Sequence, residues 1–126
     1  MEELRVGQVY ISKQEQDSEN YQKFLKIVKD KKIQVKVLKQ GDCLKIENNL
    51  YFDILWPIEE QIQENVLNNN AMVMKLRYGK FSMLFTGDIE AIAEEKILDF
   101  YKEKGGSILK SDVLKVAHHG SKTSTT

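Results

Sequence analysis

Two stretches of the sequence decide the fold: residues 81–90 are FSMLFTGDIE, and residues 112–121 are DVLKVAHHGS. In each stretch, apolar residues typical of a strand are followed directly by polar groups, Thr86-Gly87-Asp88 in the first and His118-His119-Gly120-Ser121 in the second. Polar side chains at the point where a strand ends are typical of functional sites in α/β proteins. We therefore expect the two motifs to form one site.

The residue types in these motifs are those that bind a divalent cation. A carboxylate, Asp88, and two imidazoles, His118 and His119, are ligands suited to zinc or manganese. Each motif alone also has a simpler interpretation: Asp88 as the N-cap of the following helix, and the histidines as exposed polar residues in a loop. The two motifs together, with one helix between them, favour a metal site.

The segments around the motifs predict a hairpin and a helix. Strands over 71–77 and 81–85 flank a turn at Gly79, and a helix follows over 89–104. Its apolar residues recur four apart, and Gly105-Gly106 ends it. These apolar residues form one stripe along the helix: Ile89, Ala93, Ile97 and Tyr101.

The first half of the chain predicts further strands and one more helix, so the fold class is α/β with mixed sheets and flanking helices. A helix over 19–31 begins at an N-cap in Asp17-Ser18, and residues 58–70 form a loop or a poor helix. Predicted strands cover 6–12, 33–38, 43–47 and 50–56, the last two joined at Asn48-Asn49.

Composition restricts the function classes. Nineteen basic residues balance nineteen acidic residues, so a strongly basic nucleic-acid-binding domain is not indicated. One cysteine, Cys43, excludes an intramolecular disulfide, and we expect it to be buried as a small apolar residue. No apolar run approaches the roughly 20 residues needed to cross a bilayer, so we expect no membrane segment in this chain.

The motifs at 85–90 and 112–124, with the run Asn68-Asn69-Asn70 before them, resemble the metallo-β-lactamase-fold domain of ComEC-type late competence proteins. The resemblance is specific from residue 68 onwards and looser over 5–67. It implies an αββα sandwich, here a single partial domain over 1–126. Compared with the family, this partial domain lacks the N-terminal His-x-His-x-Asp-His block and the C-terminal strand and helix.

The resemblance also implies roles for individual residues. Asp88 would bridge two divalent metal ions, zinc or manganese, in the complete domain. His118 or His119 would ligate one ion. His118 is the preferred ligand of the two because it lies nearer the strand end. Ser121, Lys122 and Ser124 match family positions beside the site, where they would contact a phosphate of the substrate.

The implied function is metal-dependent hydrolysis of a phosphodiester, with DNA as the substrate during DNA uptake. The parent proteins are membrane-embedded, which implies a domain outside the cytoplasm. The ligands in this chain are too few for two ions, so we expect the isolated chain to be inactive, and it is left open whether it binds any metal. We also expect a homodimer or higher assembly through unpaired strand edges.

Three groups of residues allow two interpretations each. Lys110, Lys115 and Lys122 could steer a phosphate backbone or be solvated. We interpret Trp56 and Tyr51 as core or half-core residues of a strand rather than as a base-stacking surface. The asparagine run is interpreted as a turn first and as a substrate contact second. The alternative function is a degenerate, non-catalytic domain that serves as a structural or protein-interaction module.

Overall fold

The computed structural model describes residues 3–13 and 18–125. Its first unit is a pair of parallel strands, β1 (Gln8–Ile11) and β2 (Gln34–Val37), connected through helix α1 (Glu19–Asp30). The predicted N-cap at Ser18 is confirmed, since its side chain accepts a hydrogen bond from the Tyr21 amide at 3.1 Å. Asp17, the other residue of that predicted cap, lies outside the described residues.

A second sheet of five strands carries the motifs. Its spatial order follows the chain order, and every neighbouring pair is antiparallel except the last, which is parallel. The strands are β3 (Cys43–Glu47), β4 (Leu50–Trp56), β5 (Val73–Tyr78), β6 (Phe81–Phe85) and β7 (Val113–Lys115). The mixed α/β class predicted from the sequence is confirmed.

Local residue choice explains the connections between these strands. Asn49 adopts φ 64° in the turn between β3 and β4, and Gly79 adopts φ 57° in the turn between β5 and β6. Asparagine and glycine tolerate this left-handed conformation, so both predicted hairpins are confirmed. Residues 58–70 contain only a four-residue helix, α2 (Val66–Asn69), as the polar composition of this segment indicated.

Helix α3 (Ala91–Glu103) connects the parallel strands β6 and β7. Its predicted stripe is buried, with Ala93 at 0% and Ile97 at 5% exposure, and it packs in one core with Leu55, Trp56 and Val73. The predicted end of the helix at Gly105-Gly106 is confirmed, because the Gly106 amide donates a hydrogen bond to the Tyr101 carbonyl at 2.7 Å. A short 3₁₀ helix, Ser107–Leu109, precedes β7, and a tight turn, Ala117–Gly120, follows it.

Exposure differs among the three residues Trp56, Tyr51 and Cys43. Trp56 is a core residue, as predicted, with 1% exposure, and its indole donates to the Asn69 carbonyl at 2.8 Å. Tyr51 is half-buried and lies under the Arg77 guanidinium. The expectation that Cys43 is buried was wrong, because the alternation of side chains along β3 puts it on the exposed face.

Within residues 3–13 and 18–125, none of the helices has the length and apolar character required to cross a membrane.

Candidate functional site

The parallel pairing of β6 and β7 brings the two motifs together. Phe85 at the end of β6 is in register with Lys115 at the end of β7. Parallel neighbours end at the same edge of a sheet, so the residues that follow them are close in space. Two hydrogen bonds connect the segments beyond the strands: the Thr86 hydroxyl donates to the Lys115 carbonyl at 2.7 Å, and the His118 amide donates to the Gly87 carbonyl at 3.1 Å.

Gly87 lets the chain turn sharply between the two polar residues of the first motif. Its φ is +57°, and a Cβ at this position would lie 3.2 Å from both the Ala71 Cβ and the Met72 carbonyl oxygen. Both the conformation and the limited space favour glycine at this position. The close approach also fixes the start of β5 against the motif.

The histidine motif has an unusual backbone. His118 has φ 45°, His119 has φ 53° and Gly120 has φ 77°, so three consecutive residues lie in the left-handed region. Positive φ is uncommon for residues other than glycine and costs free energy, and such residues cluster at functional sites. The tight turn directs the two imidazoles to different carboxylates.

His119 is brought to Asp88. Its Nε2 lies 3.3 Å from Asp88 Oδ1, and the two side chains are 80% and 41% exposed. Two atoms that each lie about 2.0–2.1 Å from one tetrahedral ion are about 3.3 Å apart, so this pair fits two ligands of a single metal. Because both side chains are exposed, other groups can reach this pair.

His118 is brought to Glu90 instead. Its Nδ1 lies 3.5 Å from Glu90 Oε1, and both side chains are largely buried, at 27% and 16% exposure. The Thr123 hydroxyl lies beside both groups, donating to Glu90 Oε1 at 3.2 Å and lying 3.4 Å from His118 Nδ1. The two histidines therefore have different surroundings, and it is His119, not the His118 preferred from the sequence, that lies beside Asp88.

The N-cap interpretation of Asp88 was wrong. Helix α3 begins at Ala91 and its N-cap residue is Glu90. Asp88 lies two residues before this cap, and its carboxylate faces His119 rather than the first turn of the helix. The carboxylate is therefore not occupied by helix capping and remains accessible.

The three residues expected to contact a substrate lie in the loop after the histidines. Lys122 is exposed, and the Ser121 hydroxyl lies 3.0 Å from the Thr123 hydroxyl. Ser124 is 6% exposed, and its hydroxyl donates to the Ala117 carbonyl at 3.0 Å. Ser124 thus fixes the loop, and substrate contact by this set of residues stays a prediction.

The lysines predicted either to steer phosphate or to be solvated differ from one another. The Lys115 ammonium donates to the Gly87 carbonyl at 3.3 Å, next to Asp88, whereas the Lys110 and Lys122 side chains are exposed. Lys115 therefore contributes a positive charge at the motif edge of the sheet.

Sequence reasoning missed three residues that shape the site: Asn69, Glu90 and Thr123. Asn68 and Asn69 are helical residues of α2, so the expected turn is confirmed only at Asn70. Asn69 is completely buried, and its Oδ1 accepts a hydrogen bond from the Glu90 amide. The parallel pairing of β6 and β7 could have indicated these residues. It brings the segment before β5 and the segment after β6 to the same edge of the sheet as the histidine motif. Among residues 3–13 and 18–125, no group of three or more His, Cys, Asp or Glu side chains could hold a metal ion.

Comparisons with known proteins find sequence similarity to three longer proteins. The protein is 34% identical over 104 residues to ComE operon protein 3 of Bacillus subtilis, covering 82% of this chain and 12% of that protein. It is 40% identical over 76 residues to the uncharacterized protein YcaI of Escherichia coli, covering 60% of this chain and 9% of YcaI.

A third relative is Recombination protein 2 of Haemophilus influenzae, 42% identical over 76 residues, with 60% of this chain and 8% of that protein covered. No protein-family model and no solved structure matches the chain. The chain spans 12% or less of the length of each of these curated relatives. It is therefore homologous, at modest identity, to a limited part of three much longer proteins.

Proposed function

We propose that this chain is part of a metallo-β-lactamase-fold hydrolase domain of a ComEC-like protein. In this proposal it contributes Asp88 and the His118-His119 pair to a divalent metal site. One observation carries the proposal: Asp88 Oδ1 and His119 Nε2 lie 3.3 Å apart, the separation suited to two ligands of one ion. Homology to ComE operon protein 3 supports the relation to competence proteins, whereas the fold and the metal site rest on the motifs.

The proposed fold is the αββα sandwich of that family. The parallel β1–β2 pair, the five-stranded sheet and the helix between β6 and β7 support it. The proposal includes a membrane-embedded parent protein with this domain outside the cytoplasm, which rests on the motif resemblance.

The proposed reaction is hydrolysis of a phosphodiester, with DNA as the substrate. A divalent cation, when bound, lowers the pKa of water and neutralises charge that develops on the ester oxygens. Asp88 and His119 would hold it, since their side chains lie 3.3 Å apart and are both exposed. Lys122, also exposed, is suited to a substrate phosphate because a lysine ammonium is a mobile positive charge.

We expect metal binding by this chain to be weak and its hydrolytic activity to be absent. A structural zinc ion takes four ligands and a catalytic zinc ion three, whereas Asp88 and His119 supply two and His118 at most a third. The remaining ligands, and those of a second ion, would come from sequence of the longer protein.

The metal site is tested by titrating the chain with Zn²⁺ in a calorimeter. We expect one weak site that is lost in Asp88→Ala and in His119→Ala. Asp99→Ala is the matched control, since Asp99 is an exposed carboxylate on α3, and it should bind zinc like the parent chain. Unchanged zinc binding in Asp88→Ala would rule out the proposed site.

The expected inactivity is tested separately with a model phosphodiester and excess Zn²⁺ or Mn²⁺. Metal-dependent turnover that Asp88→Ala abolishes would show that the chain, alone or as an assembly, completes its own site. That result would contradict the assignment of the missing ligands to the longer protein.

A second candidate function is a non-catalytic module that binds another protein surface. The observation that favours it is an apolar groove of about 270 Å³ between α3 and the β6–β7 pair, which includes Leu98 and Leu114. These two leucines are 55% and 51% exposed. Zinc binding that depends on Asp88 and His119 would count against this second candidate.

A further inference from the structure

Glu90 is held from one side by a single buried asparagine. Asn69 has 0% exposure, and its Oδ1 accepts a hydrogen bond from the Glu90 amide at 3.0 Å. Its Nδ2 lies 3.4 Å from Glu90 Oε2 and donates to the Glu64 carbonyl at 2.9 Å. Because Asn69 is fixed at both ends of its amide, it restricts the backbone and the carboxylate of Glu90 together.

The other carboxylate oxygen of Glu90 is held by the histidine loop. Glu90 Oε1 accepts a hydrogen bond from the Thr123 hydroxyl at 3.2 Å, and the Thr123 carbonyl accepts from the Ala91 amide at 2.8 Å. His118 Nδ1 lies 3.5 Å from the same Oε1. This distance is long for a hydrogen bond, and the Thr123 hydroxyl lies within hydrogen-bond distance of both groups.

We propose that Glu90 is a positioning residue that holds the His118 proton on Nδ1 and leaves the lone pair of Nε2 free for a ligand. A carboxylate facing one ring nitrogen fixes the tautomer, because only a protonated nitrogen can donate to it. The use of the free Nε2 for a divalent cation rests on the proposed function. The tautomer itself does not.

His119 has the opposite arrangement. Its Nε2, rather than its Nδ1, faces a carboxylate, that of Asp88, at 3.3 Å. In the metal-free chain the Asp88 carboxylate therefore favours the Nε2–H tautomer of His119, which is also the preferred form of a free imidazole side chain. The two adjacent histidines should thus carry their protons on different nitrogens.

The test is a long-range ¹H–¹⁵N NMR spectrum of the metal-free chain, recorded at a pH where both rings are neutral. The chain contains two histidines, so the spectrum shows two ring systems, and a His119→Gln variant assigns them. We expect Nδ1–H for His118 and Nε2–H for His119. In Glu90→Ala, His118 should revert to Nε2–H while His119 is unchanged.

Two further variants separate positioning from folding. Glu95→Ala removes an exposed carboxylate of α3 and should leave both tautomers as they are. Thr123→Val keeps the side-chain shape but removes the bridging hydroxyl, so it should reduce the Nδ1–H population of His118 even if Glu90→Ala does not fold. An Nε2–H tautomer for His118 in the parent chain overturns the proposal, and so does a tautomer that neither Glu90→Ala nor Thr123→Val alters.

The outcome is independent of the test of the proposed function. The spectrum needs no metal, so it decides the role of Glu90 even if Zn²⁺ fails to bind. Conversely, zinc binding through Asp88 and His119 with an Nε2–H tautomer at His118 would retain the proposed function and overturn the role of Glu90.

Discussion

Gly87 is the residue whose backbone conformation brings Asp88 to the histidine motif. We expect Gly87→Ala to lower the free energy of unfolding by about 2–4 kcal/mol, since a left-handed φ strains alanine and the added Cβ would press on Ala71 and Met72. Urea denaturation measures this change. The His118 amide bond to the Gly87 carbonyl should weaken in the same variant, which faster exchange of that amide would show.

Gly79→Ala is a matched control for Gly87→Ala. Gly79 has the same φ of +57°, but nothing lies within 4 Å of the position of its Cβ. It therefore carries the conformational strain without the close contacts, and we expect a loss of about 1 kcal/mol. Equal losses in the two variants would show that the packing against Ala71 and Met72 is not important.

Tyr101 makes the fold less stable at alkaline pH. Burial raises the pKa of its phenol above the ordinary value of 10.0, and the hydroxyl donates to the Leu55 carbonyl at 3.1 Å. A raised pKa in the folded state means that this contribution to stability is complete below about pH 10 and is lost as the pH rises further. We expect the free energy of unfolding to fall as the pH rises above about 10.

Tyr101→Phe should remove this alkaline loss. Near neutral pH the variant should be less stable by about 1 kcal/mol, because the hydrogen bond to Leu55 is absent. Tyr78→Phe, at an exposed position of β5, is the control that should keep the parent profile. Parallel pH profiles for the parent chain and Tyr101→Phe, measured by urea denaturation, would contradict the assignment.

At the scale of elements, Lys75 fastens the 3₁₀ turn Ser107–Leu109 to strand β5. Its side chain is 9% exposed and donates to the Ile108 and Lys110 carbonyls at 2.9 and 2.8 Å. We expect Lys75→Met to lower the free energy of unfolding by about 1–3 kcal/mol, because two carbonyls lose a charged donor. Amides of the turn should then exchange faster, whereas Lys45→Met, at an exposed position of β3, should leave them protected.

Most elements of this fold could be predicted because their signals are local. The hairpin of β3 and β4 follows from alternation and a turn at Asn49, and α3 follows from a four-residue repeat and Gly105-Gly106. The side on which Cys43 lies could not be predicted, since it depends on which face of β3 packs inward. The assignment of each histidine to its own carboxylate depends on contacts between distant segments and on the left-handed backbone at 118–119.

At the scale of the whole molecule, the two edges of the five-stranded sheet differ in character. At one edge, Ile46 of β3 is flanked by the charged residues Lys45 and Glu47, which discourage pairing with another strand. The other edge, β7, has exposed Val113 and Leu114 beside the apolar groove under α3. The predicted self-association should therefore use the β7 edge, where apolar side chains supply most of the contact.

Leu114→Lys tests this prediction by sedimentation velocity over a range of concentrations. We expect the sedimentation coefficient of the parent chain to rise with concentration, and that of Leu114→Lys to stay at the monomer value, because a charge placed in the apolar contact is costly to desolvate. Ile46→Lys is the matched control on the opposite edge, with 52% exposure against 51% for Leu114, and it should associate like the parent. A parent chain that remains monomeric at every concentration would refute the assembly itself, whereas equal effects of the two lysines would refute its assignment to β7.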